Sequence, residues 1–281
     1  MSVPAAIVVE GGGMRGIFSS GVLDVFLEQS FNPFQLAIGS SAGACNLASH
    51  LAGQHDRNRR CYTTQMSRPE FISGRRYLRG GHWLDLDYLW DAFQREDPLD
   101  VQGATANATK LVVTTTAADT GLPEFFEPNA DELLEVLRAS CAVPLLYRKF
   151  VELSGRPYTD GGVSAAIPVE EAFRRGARRI LVLRSRPADY VKEPRLESVI
   201  GALALRKHPA LARAIRSAHK AYGRALAFIR NPPAECTVLE IAPKQALRTG
   251  RTTRDVGALE EDYALGRKAG ISALEEWARM N

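Results

Sequence analysis

Residues 5–28 read AAIVVEGGGMRGIFSSGVLDVFLE and contain the pattern on which the fold depends. The apolar, β-branched run at 5–9 predicts a buried strand, and residues 17–28 have the length and apolar spacing of a helix. The turn between them, GGGMRG at 11–16, lets the backbone approach a ligand closely because glycine has no Cβ. This unit predicts a negatively charged group at the turn, either a bound phosphate or a transient oxyanion.

The alternation of strand and helix continues along the chain. Strand followed by helix, repeated, predicts an α/β fold with a mostly parallel sheet and helices on both faces. We predict strands at Ala5–Val9, Gln35–Ile38, Leu111–Thr116, Arg179–Arg184 and Thr237–Ile241. We predict helices at Ile17–Glu28, Ala42–Ala52, Leu86–Gln94, Ala130–Ser140 and Val169–Arg175, with longer ones at about 209–230 and 256–278.

The composition is that of an ordinary soluble globular protein, since 45% of the 281 residues are hydrophobic and 24% are charged. The four cysteines are scattered without CxxC spacing, so we expect neither a disulfide framework nor a zinc site, and a reducing compartment. The chain starts without a basic leader, and no run approaches the ~18 apolar residues of a spanning helix. We therefore expect a cytoplasmic protein that holds no metal and no cofactor.

The charge is unevenly divided between two parts of the chain. Residues 1–170 contain 14 Lys/Arg and 20 Asp/Glu, whereas residues 171–281 contain 22 and 12, so the two parts carry −6 and +10. The polar, proline-containing stretch 187–194 is a plausible boundary between them. The two parts are therefore expected to face different surroundings.

The predicted helix at about 209–230 is basic and amphipathic. Its apolar residues recur at spacings of three and four, and its cationic residues mostly lie elsewhere on the helix. Such a helix either lies on an anionic membrane surface, here the inner membrane face, or packs its apolar stripe on the domain core. Nucleic acid is not an expected partner, because Tyr222 and Phe228 alone offer no platform for stacking bases.

A second short motif, GSSAG at 39–43, places Ser41 where a strand ends and a helix begins. A G-x-S-x-G in that context is typical of a nucleophile elbow, which holds its serine in a strained turn at the carboxyl edge of a sheet. Gly39 and Gly43 would be small because strand and helix backbones approach closely there. The alternative is a small-residue turn without reactivity.

The glycine turn permits two interpretations. Its residues are Gly11, Gly12, Gly13, Met14, Arg15 and Gly16. They satisfy G-x-G-x-x-G, typical of a dinucleotide-binding loop, but such a loop needs an acidic residue after the second strand, where this chain has the elbow. An oxyanion hole fits better, since each backbone N–H aimed at the oxyanion of acyl transfer stabilises the transition state by roughly 3–4 kcal/mol.

A nucleophilic serine requires a base, and the chain offers two kinds. None of the five histidines, at 50, 55, 82, 208 and 219, has the loop context of a histidine in a catalytic triad. Asp160 is followed by Gly161 and Gly162, which predicts a carboxylate in a tight, backbone-exposed turn. An ordinary Asp-Gly turn is the alternative, but the two other motifs already require a base.

The three motifs together resemble those of the patatin-like phospholipases: GGGMRG at 11–16, GSSAG at 39–43 and DGG at 160–162, in that order. The segment ASCAVPLLYRKF at 139–150 is also similar to the family's small-residue segment before the aspartate. The resemblance covers residues 5–185. It departs from the family at Glu10, where an aspartate is often found, and it does not extend beyond about residue 190.

The resemblance implies a three-layer α/β/α sandwich and a Ser–Asp dyad without histidine, in which Ser41 is the nucleophile and Asp160 the general base. It implies hydrolysis of fatty acyl esters, including phospholipids, through an acyl-enzyme. The domains would then be a catalytic one at 1–186 and a basic, mainly helical extension at 187–281 with a strand near 237–241. Two alternatives stay open: an α/β-hydrolase esterase that uses His208 or His219, and a dinucleotide-binding protein that uses GGGMRG.

Overall fold

The structure, a computed structural model, describes residues 4–194, 205 and 207–280. These residues form one eight-stranded sheet: β1 Ala5–Val9, β2 Leu36–Ser40, β3 Lys110–Ala117, β4 Pro123–Phe126, β5 Val151–Leu153, β6 Arg156–Asp160, β7 Arg179–Leu183 and β8 Thr237–Ile241. The helices are α1 Gly16–Glu28, α2 Ala42–Leu51, α3 Arg57–Thr63, α4 Gly74–Leu78, α5 Leu86–Glu96, α6 Val101–Ala106, α7 Leu133–Cys141, α8 Val169–Arg174, α9 Pro209–Arg230 and α10 Val256–Arg279. Single 3₁₀ turns lie at Gly13–Arg15 and Gly161–Val163.

The sheet is mostly parallel. Its strand order is β5–β6–β3–β2–β1–β7–β8, with β4 paired to β3 outside this path. The five strands from β3 to β8 in this order are mutually parallel, whereas β4, β5 and β6 pair in antiparallel fashion. All residues of β1 and β2 are buried, because helices cover both faces of the sheet. The predicted α/β sandwich with a mostly parallel sheet is confirmed.

Strand register brings the three sequence motifs to one edge of the sheet. Val9 of β1 pairs with Gly39 of β2, so the glycine turn and the elbow leave the sheet side by side. Strand β2 also pairs with β3, and Thr115 near the end of β3 pairs with Asp160, the last residue of β6. The parallel strands β1 and β2 share this carboxyl edge, where α/β proteins bind ligands, and antiparallel β6 brings Asp160 to it through the pairing with Thr115.

Two layers of helix pack on the two faces of the sheet. On one face, α10 lies against α1 so closely that a Cβ on Gly21 or Gly266 would meet the backbone of the other helix. On the other face, Tyr222, Leu226 and Ile229 of α9 join the buried apolar cluster beneath α8. The apolar stripe of α9 therefore packs on the core, and its cations Arg213, Arg216, Lys220, Arg224 and Arg230 are exposed.

The C-terminal part of the chain contributes to the same sheet and layers. Strand β8 pairs in parallel with β7 over five residues from Thr237 onward. Helix α9 ends at Arg230, directly before Asn231 and two prolines, which cannot continue a helix. The carboxylate of Asp255 caps α10 by accepting from Ala258 N. No helix among the described residues has the length and apolar character needed to cross a membrane.

Candidate active site

Ser41 occupies a strained turn between β2 and α2. Its φ and ψ are 53° and −128°, a conformation that costs a non-glycine residue on the order of 1–3 kcal/mol. Two hydrogen bonds hold the backbone of this turn in place. Ser41 N donates to Ser140 Oγ at 2.7 Å, and Ser140 Oγ donates to Thr114 O at 2.6 Å. Ser41 is the N-cap residue of α2, and its side chain makes no capping hydrogen bond to that helix.

The two glycines of the elbow leave no room for a side chain at their positions. A Cβ on Gly39 would lie 2.5 Å from the backbone of Ala44 in α2, and a Cβ on Gly43 would meet the carbonyl oxygen of Val9. Both contacts are with backbone atoms, which cannot rotate away. The two positions accept no side chain while the strand and helix keep this distance.

The Ser41 hydroxyl donates a 2.7 Å hydrogen bond to Asp160 Oδ2. The other oxygen, Oδ1, accepts from Gly162 N at 2.7 Å, which fixes the orientation of the carboxylate. The sequence predicts a tight turn for Asp160. In the structure Asp160 is instead the last residue of β6, and the turn follows it at Gly161–Val163.

Burial makes the Asp160 carboxylate a stronger base than an ordinary aspartate. Only 7% of the residue is exposed, and this desolvation raises its pKa, although the hydrogen bond from Ser41 and the positive charge of Arg251 act in the opposite direction. A raised pKa would suit a carboxylate that accepts a proton in catalysis.

The glycine turn lies beside Ser41 and includes two backbone amides without an intramolecular partner among the described residues. Gly13 and Ser41 line the same cavity, and Gly13 adopts a left-handed φ of 58°. Gly11 N donates to Ala166 O at 3.2 Å and Met14 N donates to Arg251 O at 3.1 Å, so these amides are occupied. Within the described residues, the amides of Gly12 and Gly13 have no protein acceptor.

Glu10 anchors the start of the glycine turn. Its buried carboxylate accepts from Ser185 N at 2.6 Å and from the hydroxyl of Tyr222 at 2.9 Å. Tyr222 in turn accepts from Arg184 Nη2 at 3.0 Å. The glutamate thereby ties the turn to the end of β7 and to α9, which gives a structural role to the residue that departs from the family pattern.

An apolar cavity extends from Ser41 between α2, α3 and α5. Its walls are formed largely by aliphatic, aromatic and sulfur-containing side chains: Cys45, Cys61, Tyr62, Met66, Phe71, Leu84, Leu86, Leu89, Trp90, Phe93, Cys141 and Val143. Asn46, Arg57 and Asn58 add polar groups to the wall, but the lining as a whole suits an apolar group, whose surface it would remove from water.

The five histidines all lie within the described residues, and none hydrogen-bonds to Ser41 or Asp160. His208 packs its ring on Phe150, and His219 Nδ1 lies 3.0 Å from the carbonyl of Arg216 on its own helix. His50 is buried, which lowers its pKa to about 4. The structure therefore places neither His208 nor His219 where a histidine-containing triad needs its base.

The fold and the site define an α/β protein of the hydrolase type in which an aspartate, rather than a histidine, accepts a hydrogen bond from the serine of the elbow. A model of the patatin-like phospholipase family matches residues 7–173, more than half of the chain, and the chain belongs to this family. A model for a domain of unknown function, DUF6363, matches residues 208–281.

Two relatives show how far this similarity reaches. The chain is 37% identical over 272 residues to the uncharacterized protein YjjU of Escherichia coli (strain K12), a match that covers 94% of this chain and 75% of YjjU. It shares its fold with VipD from Legionella pneumophila, with a TM-score of 0.52 and 12% identity over 98% of this chain and 67% of VipD. Membership of the family makes this chain a relative of lipid acyl hydrolases.

Two residues of the site were not singled out from the sequence. Ser140, which holds the amide of Ser41, lies in the small-residue segment at 139–150, and that segment was its only signal. Arg251, whose carbonyl fixes the amide of Met14, lies more than 230 positions from the glycine turn in a part of the chain without a motif.

Proposed function

We propose that this chain is a serine acyl hydrolase that cleaves fatty acyl esters, with Ser41 as nucleophile and Asp160 as general base. The observation that carries this proposal is the 2.7 Å hydrogen bond between a strained serine and a buried carboxylate. Family membership supports the chemistry, and the apolar cavity at Ser41 supports an acyl chain as the bound group.

The proposed cycle uses one proton carrier. Asp160 Oδ2 accepts the hydroxyl proton while Ser41 Oγ attacks the ester carbonyl carbon, and the oxyanion that forms accepts from the amides of Gly12 and Gly13. The intermediate collapses to an acyl-enzyme, and the leaving alcohol takes the proton from Asp160. Water then attacks the acyl-enzyme with Asp160 again as base, which releases the fatty acid and restores the serine.

The decisive experiment traps the acyl-enzyme. The chain is mixed with p-nitrophenyl esters of short, medium and long acyl chains, and the peptide that contains Ser41 is examined by mass spectrometry after rapid quenching. We expect a burst of p-nitrophenol and an acyl adduct on Ser41. An adduct elsewhere, or turnover that persists in Asp160→Asn, would remove the proposed dyad. Binding of a dinucleotide without any adduct would favour the nucleotide-binding alternative.

We also propose that residues 1–186 carry the catalytic machinery and that the basic segment 187–281 favours peripheral contact with an anionic inner membrane face. The exposed cations of α9 would supply this contact, because its apolar stripe is packed on the core. An interaction of that kind is electrostatic, so it weakens as salt screens it. Co-sedimentation with anionic vesicles that does not depend on salt would contradict this proposal.

A further inference from the structure

The C-terminal segment, residues 208–281, is the part of the chain that matches the domain of unknown function. It reaches the glycine turn through two separate contacts. The hydroxyl of Tyr222 in α9 donates to Glu10 Oε1 at 2.9 Å, and Arg251 O accepts from Met14 N at 3.1 Å. The first contact lies before the two unpartnered amides of the turn and the second lies after them, so the segment holds the turn from both sides.

The contact at Arg251 is close enough to fix the backbone of the turn. A Cβ on Gly13 would lie only 2.6 Å from Arg251 O, so the carbonyl of this residue packs directly on the glycine. Gly13 has a left-handed φ of 58°, which glycine adopts without steric cost. Because the amides of Gly11 and Met14 are both bonded to carbonyls, the direction of the two amides between them is set.

The contact at Glu10 belongs to a buried polar network. Glu10 is 3% exposed, and Tyr222 lies between its carboxylate and the guanidinium of Arg184, which is fully buried. Arg184 also pairs with Glu240 of β8, so the C-terminal segment supplies two of the four members of this network. A buried carboxylate that loses a hydrogen-bond donor is no longer fully satisfied and reorients to find another. Removal of the Tyr222 hydroxyl is therefore expected to displace Glu10, and with it the start of the glycine turn.

We propose that Tyr222 is a positioning residue for hydrolysis: together with the Arg251 carbonyl, it allows the C-terminal segment to hold the amides of Gly12 and Gly13 toward the oxyanion. This inference rests on the proposed function, because it requires an oxyanion to form beside Ser41. Backbone donors stabilise a transition state only when they are aligned before the reaction begins. Loss of this alignment therefore slows acylation and leaves the affinity for the ester unchanged.

The chain offers a matched pair of variants, Tyr222→Phe and Tyr263→Phe. Both tyrosines are buried in the C-terminal segment, and Tyr263 donates to Asp24 Oδ2 at 2.8 Å as Tyr222 donates to Glu10. Each of these carboxylates also accepts from one backbone amide. The two substitutions thus remove similar hydrogen bonds, but Asp24 lies in the second half of α1 and Glu10 directly precedes the glycine turn.

The first test measures acylation by p-nitrophenyl esters in rapid-mixing experiments. In Tyr222→Phe we expect the rate constant of acylation to fall about tenfold, as for loss of one hydrogen bond to a charged group, and the dissociation constant of the ester to stay within twofold. In Tyr263→Phe both quantities should stay within twofold of the wild type. Wild-type acylation in Tyr222→Phe, or an equal loss in both variants, would overturn the proposal.

The second test uses an alkyl trifluoromethyl ketone as a mimic of the oxyanion. Ser41 Oγ adds to the ketone carbon, the hydroxyl proton passes to Asp160, and the ketone oxygen takes the negative charge that the amides of the turn would stabilise. Its inhibition constant should rise about tenfold in Tyr222→Phe, in parallel with the loss of acylation. The fatty alcohol of the same chain length forms no oxyanion, so its binding should not change. Equal weakening of the ketone and the alcohol would overturn the proposal.

Amide hydrogen exchange separates this inference from the proposed function, because it requires no turnover. The bonded amides of Gly11 and Met14 should exchange faster in Tyr222→Phe than in the wild type or in Tyr263→Phe. Faster exchange in a chain whose wild type cleaves no ester would keep the hold on the turn and remove the hydrolase. Unchanged exchange in Tyr222→Phe, with ester cleavage at the wild-type rate, would keep the hydrolase and remove the role of the C-terminal segment.

Discussion

Ser41 Oγ and Asp160 Oδ2 lie 2.7 Å apart although 119 residues separate them in the chain. The sheet makes this contact: the serine directly follows β2, β3 lies beside β2, and β6 pairs with the end of β3 and ends at the aspartate. The geometry is built into the register of three strands rather than into a flexible loop. Substitutions at the two positions should therefore act on chemistry while the fold persists.

Ser41→Ala should abolish labelling by a fluorophosphonate probe and lower ester hydrolysis roughly 10³-fold or more, because no other hydroxyl replaces the nucleophile. The chain offers a matched control in Ser40, a buried serine whose hydroxyl has no partner among the described residues. Ser40→Ala should keep labelling and turnover. Labelling that follows Ser40 instead of Ser41 would place the nucleophile one residue earlier.

Asp160→Asn should lower kcat by roughly 10²–10⁴, the usual contribution of a general base. The folded state should not become less stable, because an asparagine fills the same space and removes a carboxylate whose ionised form is disfavoured by burial. The melting temperature at pH 8 should therefore equal or exceed that of the wild type. A lower melting temperature would mean that the ionised carboxylate stabilises the fold.

The acid limb of the kcat/KM profile should lie above the ordinary aspartate value of 3.8, because burial raises the pKa of Asp160 and only its ionised form accepts a proton. The charge of Arg251 lowers that pKa, so Arg251→Gln should move the acid limb to higher pH. Arg279→Gln should leave the profile in place, since Arg279 is exposed in the last turn of α10. A shift of the acid limb toward lower pH in Arg251→Gln would contradict the expected effect of the Arg251 charge on the pKa of Asp160.

The raised pKa of Asp160 also makes the free energy of unfolding depend on pH. The folded state binds the Asp160 proton more readily than the unfolded chain, so this group favours folding increasingly as pH falls through its folded pKa toward the unfolded value. Asp160→Asn removes this dependence. Denaturant titrations between pH 4 and pH 8 measure the free energy of unfolding of the wild type and of Asp160→Asn. The difference between these two free energies should become smaller as the pH falls.

The parallel half of the sheet and the motifs that contain Ser41 and Asp160 were accessible from sequence because their signals are local. The runs at 5–9 and 237–241 are apolar and bounded by polar or turn residues, and the predicted strands there match the structure. Strands β4, β5 and β6 were not predicted. They have three to five residues each, and β4 and β6 contain prolines, so their alternation is too short to recognise.

The residues that support the site were not accessible from sequence because their roles are set by tertiary contacts. Ser140 holds the elbow only because α7 ends beside β3, and Arg251 reaches the glycine turn from a segment without periodicity. The apolar stripe of the helix at 209–230 was predicted, but its spacing alone left two locations open, the core and a membrane surface. The buried side chains of Tyr222, Leu226 and Ile229 show that this stripe packs on the core.

Gly43→Ala should destabilise the protein severely, because the new methyl group would meet the backbone oxygens of Val9 and Glu10, which have no freedom to move away. Gly223→Ala is the matched control. Gly223 lies within α9, and a Cβ there would meet nothing within 4 Å, so alanine should stabilise the helix by about 0.5–1 kcal/mol. Chemical denaturation measures both changes, and comparable effects at the two positions would contradict the close approach at the elbow.

Cys61→Phe should shift the preference of the enzyme toward shorter acyl chains. Cys61 is a buried residue of α3 that lines the apolar cavity, and a phenyl ring in its place would occupy part of the space available to the chain. Each excluded methylene loses about 0.8 kcal/mol of burial, so two of them lower the ratio of long-chain to short-chain kcat/KM roughly tenfold.

Cys61→Ser keeps the volume of the side chain and should keep the wild-type ratio, which separates filling of the cavity from loss of the thiol. A series of p-nitrophenyl esters of increasing length measures the ratio. Because both variants leave Ser41 and Asp160 untouched, an equal loss on all chain lengths would show that the acyl chain binds elsewhere.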